Sequence, residues 1–197
     1  MGCNIQRWML QPVAFMTIMK FTRQIFVGVS MAVMLLSACA VGSDSTDEVA
    51  DTLLKAGEKA PDFTLALEQG QRQLTLDSLQ GKVVIVEFWA SWCPDCRQVT
   101  AQVAKLFQQY AASDTVCVGI SFDTDALQWQ QYMAEHALSG LQHREQQPWK
   151  ESKVAADYHV NWIPTFYVIN KAGRIDYATI DIKELESFLV TTEKGKQ

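Results

Sequence analysis

The chain has no excess of positive charge. Its 197 residues carry 17 lysines and arginines against 22 aspartates and glutamates, formally −5 with neutral histidines. A surface that neutralises nucleic-acid phosphates needs the opposite sign, which argues against a nucleic-acid partner. Cysteine is sparse: five at this length are too few for a disulfide scaffold. The three histidines, His136, His143 and His159, lack ligand spacing and read as surface or capping residues. There is no internal repeat, and the one biased segment is a short polar stretch in the N-terminal third. What is present is 48% hydrophobic and 20% charged residues, a globular composition at a length that suits one domain with an appendage.

The charge is unevenly spread. Residues 1–38 hold Arg7, Lys20 and Arg23 and no acid, leaving 14 basic against 22 acidic residues in the remainder. No residue from Gln24 to Ser43 is charged, and Ile25 to Leu36 is strongly apolar. A short basic region, an apolar core and then small residues describe a secretory signal. Its end, Leu36-Ser37-Ala38-Cys39, resembles the lipobox of bacterial lipoproteins. The resemblance implies cleavage before Cys39 and acylation of that residue. Each buried CH2 contributes about 0.8 kcal/mol, so acyl chains would hold the domain on a membrane. The alternative is an uncleaved anchor, since roughly 20 residues can span a bilayer. Small residues leading into a cysteine favour the lipoprotein. The expected organisation is a signal peptide over 1–38, with 1–18 upstream of a start at Met19 and Cys3 outside the mature protein. A lipidated N-terminus and flexible acidic tether follow over 39–56, then a folded domain over 57–197.

Within that domain, Lys59 to Leu65 reads as a strand entered through Pro61, and Leu74-Thr75-Leu76 leads into Val83–Trp89, a run of buried-strand length. Pro94 to Ala111 carries Val99, Val103, Leu106, Phe107 and Tyr110 at helical spacing. Thr115 to Phe122 is a second buried strand, a helix opens after Asp123-Thr124-Asp125, and Trp149 to Tyr158 suggests a shorter one. Trp162 to Ile169 and Ile175 to Ile180 form a hairpin around Lys171-Ala172-Gly173-Arg174. A last helix starts at Asp181, with Glu184 completing a capping box. This order predicts an α/β fold: a central mixed sheet with helices on both faces.

Trp92-Cys93-Pro94-Asp95-Cys96 carries the chemistry. Two cysteines three apart at a helix start lie on one face, within reach of a disulfide. The first sits where unpaired backbone N–H groups and the positive end of the helix dipole converge. Both favour a thiolate, so Cys93 is expected to be the exposed nucleophile and Cys96, one turn inward, the shielded resolving thiol. Pro94 suits the first helical position, where its missing N–H costs nothing. A lone C-x-x-C is also half a zinc site, but Cys117 and the scattered histidines make poor further ligands. Cys117 reads as a small core residue. Asp95 and Arg97 act oppositely on the thiolate and leave its pKa open.

Val86 to Cys96 (VEFWASWCPDC), with Ile163-Pro164-Thr165 downstream, resembles the thioredoxin superfamily. Ala60-Pro61-Asp62-Phe63 and the segment Thr124 to Tyr158 are similar to its TlpA/ResA-like, envelope-tethered branch, over roughly Gly57 to Leu189. The resemblance implies a thioredoxin-like fold and a cis peptide before Pro164. The Ile163 backbone would then be left unpaired for a substrate strand. The competing reading of Pro164 is a strand-entry proline without function. The resemblance also makes Glu87 a buried acid whose pKa is raised and which shuttles a proton for Cys96; the alternative is a glutamate at the sheet's edge. Trp92 is expected to cover part of the disulfide, with Trp89 and Trp162 as packing. Several TlpA/ResA-like proteins carry a glutamate three residues after the second cysteine, where this chain has Val99.

The function expected is therefore thiol–disulfide exchange in the bacterial envelope, reducing protein disulfides. It requires no cofactor beyond the Cys93/Cys96 pair and draws electrons from a membrane thiol donor. Two rivals share features. A peroxiredoxin-like peroxidase also carries Ala-Pro-Asp-Phe, but its Pro-x-x-x-Thr/Ser-x-x-Cys pattern meets Val86 and Ala90 here. A copper chaperone resembles Cys-x-x-x-Cys with a distant histidine, one residue longer than this spacing. Peroxide turnover and copper titration separate the three.

Overall fold

The computed structural model describes residues 45–67, 72–111 and 114–194. Helix α1 (Ser45–Thr52) precedes β1 (Thr64–Leu67), β2 (Arg72–Thr75) and a 3-10 turn at Asp77–Leu79. Next come β3 (Val83–Trp89), α2 (Pro94–Tyr110), β4 (Thr115–Ser121), α3 (Ala126–Glu135) and β5 (Leu141–Arg144). A 3-10 turn at Trp149–Glu151, α4 (Lys153–Asp157), β6 (Thr165–Ile169), β7 (Ile175–Thr179) and α5 (Ile182–Lys194) follow. The strands make a seven-stranded sheet in the order β2-β1-β5-β4-β3-β6-β7. β3, β4 and β5 run parallel to one another, while β6, β7, β1 and β2 join antiparallel. The expected mixed α/β sheet is the one observed.

Central β3 is apolar on both sides because both of its faces are covered. Val84, Val86 and Phe88 pack with Tyr132 of α3 and with Val154 and Ala155 of α4. Ile85 packs with Val103, Leu106 and Phe107 of α2 and Leu185 and Leu189 of α5. Strand alternation puts Glu87 on the Ile85 side, so the one acid of the run faces the layer that holds the helix of the two cysteines. Helix α3 starts where Asp125 accepts from the amides of Leu127 and Gln128, and α4 where Ser152 accepts from Ala155. The β6–β7 hairpin closes through Asn170 Oδ1, which accepts from Ala172 and Arg174, with Gly173 at φ 71° supplying the left-handed position.

Five readings change. The acidic stretch is not wholly a flexible tether: residues 45–52 form α1, and Leu53 and Leu54 are buried in the core before Gly57. Strand β5 was not anticipated, because Leu141-Gln142-His143-Arg144 is short and polar. It is completed by His143, which is buried rather than exposed, its Nδ1 against the Ala66 carbonyl and its Nε2 against Glu145 at 2.8 Å. Glu184 does not form a capping box: it accepts from the Thr179 hydroxyl at 2.6 Å and from Tyr177, while Asp181 Oδ1 takes the Lys183 amide. Trp162 is not interior packing, for it is 43% exposed.

Candidate active site

Strand β3 ends at Trp89, and the turn Ala90–Trp92 delivers Cys93 to the N-cap of α2, with Pro94 in the first turn. The backbone of Cys93 is extended there, and its sulfur accepts from the Cys96 amide at 3.3 Å. Both cysteines, and Cys117, are free thiols in this structure. Cys93 is 4% exposed and Cys96 2%, so the expectation of an exposed Cys93 fails at the residue level. Its thiol lies inward, donating to the Ile163 carbonyl at 3.4 Å. The exposed surface beside it belongs to Trp92, at 48%. Trp92 therefore stands about half out of the turn.

The two sulfurs differ because of what surrounds them. The Cys93 pKa is lowered to about 7, first by the hydrogen bond from the Cys96 thiol, with the amides of Cys96 and Asp95 adding to it; burial and the Asp95 carboxylate oppose. Cys96 is pushed strongly upward, first by burial, then by its bond to Cys93, with the Glu87 carboxylate also contributing. Cys117 is a core thiol, 3% exposed and pushed up to about 12 by burial. Glu87 is 5% exposed, and burial raises its carboxyl to about 8. Of its two sequence readings, the edge of the sheet is excluded: Glu87 lies between Gly119 of β4 and Phe166 of β6 in central register.

The Ile163–Pro164 peptide is cis, and Pro164 opens directly into β6. Ile163 is 4% exposed, and its carbonyl is engaged by the Cys93 thiol, so the expected unpaired backbone does not extend to that carbonyl in the reduced state. A groove of about 370 Å³ runs from Pro164 and Trp162 past Asp95 and Val99 to Asp181 and Glu184. Val99 thus faces the groove. Cys93, Cys96, Glu87, Trp92, Ile163 and Pro164 converge; Cys39 lies outside the described residues, among which no helix is long and apolar enough to cross a membrane. Among them, too, no group of three or more His, Cys, Asp or Glu side chains is arranged to hold a metal ion. The residue that sequence reasoning passed over is Asp123, read only as part of a helix entry. It is 1% exposed and binds the turn before Cys93. Its signal was an acid directly after a buried strand.

Residues 55–188 match the Redoxin family. The chain belongs to that family. The Redoxin chain is 27% identical over 179 residues to the thiol-disulfide oxidoreductase ResA of Oceanobacillus iheyensis, covering 86% of itself and 90% of that protein. It is 32% identical over 141 residues to the thioredoxin-like protein YneN of Bacillus subtilis, covering 69% of itself and 79% of YneN. Among solved structures, a thiol-disulfide oxidoreductase from Bacteroides fragilis superimposes with a TM-score of 0.62 at 25% identity, over 68% of this chain and 99% of that one. The Redoxin chain is a thiol–disulfide oxidoreductase of the thioredoxin-like, ResA-related kind.

Proposed function

We propose that this Redoxin chain reduces protein disulfides at the cell envelope, held on the membrane by acyl chains on Cys39, with Cys93, Cys96, Glu87 and Pro164 carrying the exchange. The Cys93 thiolate attacks one sulfur of a substrate disulfide, and the other leaves as a thiolate. Cys96 gives its proton to the Glu87 carboxylate and attacks Cys93, releasing the second substrate thiol and leaving the Cys93–Cys96 disulfide. A membrane thiol donor returns two electrons for the next cycle. Trp92, Ile163 and Pro164 border the path along which an extended substrate chain reaches Cys93, and ionisation of Cys93 removes the proton that engages the Ile163 carbonyl, freeing it for a substrate N–H.

The observation that carries this reading is the asymmetry of two buried thiols: Cys93 sits at a helix N-cap with its sulfur on the Cys96 amide, which lowers its pKa, while Cys96 is driven upward by its surroundings. The test is the reduction potential of the Cys93–Cys96 pair. A value near −270 mV agrees with a reductase, and one near −120 mV overturns the direction. For the anchor, palmitate labelling should disappear in Cys39→Ser; label retained in that variant contradicts it.

A further inference from the structure

We propose that Asp123 is a positioning residue for the exchange reaction: through Ser91 it fixes the turn that brings Cys93 onto the N-terminus of α2. Asp123 follows β4 by two residues and lies 32 positions from Ser91, yet four of its five hydrogen bonds converge on Ser91 and Ser121. Oδ2 accepts from the Ser91 amide at 2.9 Å and from the Ser121 hydroxyl at 2.6 Å, and Oδ1 accepts from the Ser91 hydroxyl at 2.6 Å. The Asp123 amide in turn donates to Ser121 Oγ at 3.1 Å. Ser91 and Asp123 are 2% and 1% exposed, so water does not compete for these bonds. The Asp123 carbonyl also accepts from Arg144 Nη1 of β5 at 3.2 Å, which ties the residue to a third strand.

The consequence lies in what the turn must do. Register pairing between β3 and β4 ends at Trp89 and Ser121. Beyond it the chain must reverse within Ala90–Trp92 and deliver Cys93 in an extended conformation, so that its sulfur meets the Cys96 amide. Two backbone bonds help, Phe122 amide to Trp89 carbonyl and Cys93 amide to Ala90 carbonyl. The second closes a four-residue turn with Ser91 at its second position, but neither bond engages a polar atom of Ser91 itself. The Asp123 carboxylate grips Ser91 by backbone and side chain together, which sets the direction of the chain two residues before the nucleophile and leaves Trp92 projecting outward. A shift of the turn lengthens the contact between Cys93 Sγ and the helix amide, and a thiolate is sensitive to that distance.

The proposal rests on Cys93 being the nucleophile, and the experiment separates the two. Asp123→Asn and Ser91→Ala are made in the otherwise unaltered chain, and alkylation of reduced Cys93 by iodoacetamide is followed from pH 5.5 to 9, alongside thermal melting. Asp123→Asn keeps the shape but cannot accept three donors at once. Its alkylation at pH 6.5 should fall at least threefold, with the midpoint moved upward. Ser91→Ala keeps the amide bond to Oδ2 and should move the midpoint the same way by less. Loss of a nearby negative charge alone would lower the midpoint instead, and that result overturns the proposal. An unmoved midpoint with a lower melting temperature overturns it too, leaving Asp123 a stabilising residue only. If Asp123→Asn does not fold, the Ser91→Ala midpoint decides by the same criterion. Trapping of mixed disulfides by Cys96→Ser, measured in parallel, tests the nucleophile itself; if trapping persists while the midpoint stays fixed, only the positioning role is lost.

Discussion

The thiol of Cys93 donates to the carbonyl of Ile163 across 3.4 Å, joining residues 70 positions apart. This bond brings the end of α2 that bears the cysteines to the entry of β6. It depends on the Cys93 proton, and the hydrogen bond from Cys96 together with the helix amides lowers the pKa of that thiol.

In the reduced protein, alkylation at Cys93 should follow a midpoint near pH 7, well below the 9.0 of a free thiol. At pH 6.5 peptide mapping should find label on Cys93 and almost none on Cys96 or Cys117, both held protonated by burial. Label on Cys117 in the folded protein would contradict its place in the core.

Glu87 should make stability fall as pH rises. Its carboxyl binds a proton more tightly when folded, about 8, than at the ordinary value of 4.5, so the folded state holds the extra proton between those limits. From pH 5 to 7 the wild type should lose on the order of 2 kcal/mol relative to Glu87→Gln, at about 1.4 kcal/mol per pKa unit. Cys93 titrates in the opposite sense, its depressed pKa adding stability from about 7 upward, so the comparison belongs below pH 7. Parallel denaturation midpoints for the two proteins across that window would show that Glu87 is not desolvated.

The same residue should shape the kinetics. In the wild type, resolution of a preformed mixed disulfide should quicken as pH approaches 8 and the Glu87 carboxylate becomes available to take the Cys96 proton. Glu87→Gln should resolve roughly tenfold or more slowly at neutral pH, with that rise flattened. Single-turnover release of substrate thiol is the readout, and an unchanged profile removes the shuttle.

Leu53 tests where the folded unit begins. It is 3% exposed within the main core, and its neighbour Leu54 donates its amide to the Tyr167 hydroxyl at 3.3 Å. Leu53→Ala should cost about 2–5 kcal/mol in chemical denaturation, as buried leucines do. A flexible tether would give no measurable loss.

Much of the site was legible in the chain because its parts are local. Cys93-Pro94-Asp95-Cys96 sits after a run of seven apolar-framed residues, and N-cap, first-turn proline and resolving thiol all follow from adjacent positions. Glu87 stood out as an acid in that run. Asp123 and His143 did not, because their meaning comes from partners 32 and 77 residues away, Ser91 and Ala66. The polar strand β5 is a strand because Leu141–Arg144 pairs with Val118–Ser121 of β4, a non-local partner that its own residues do not announce. Cys93 was expected in the open because helix N-termini usually are; the fold instead turns its sulfur toward Ile163 and leaves Trp92 outside.

The central claim is the division of labour between the two cysteines, and trapping tests it most directly. Cys96→Ser, expressed as the full chain, should attack substrate disulfides and fail to release them, accumulating high-mass species that disappear with reductant. Cys93→Ser should accumulate few or none, because the sulfur left in the site is buried and held protonated. Trapping by Cys93→Ser in place of Cys96→Ser, or by neither while peroxide turnover survives in Cys96→Ser, would contradict the account.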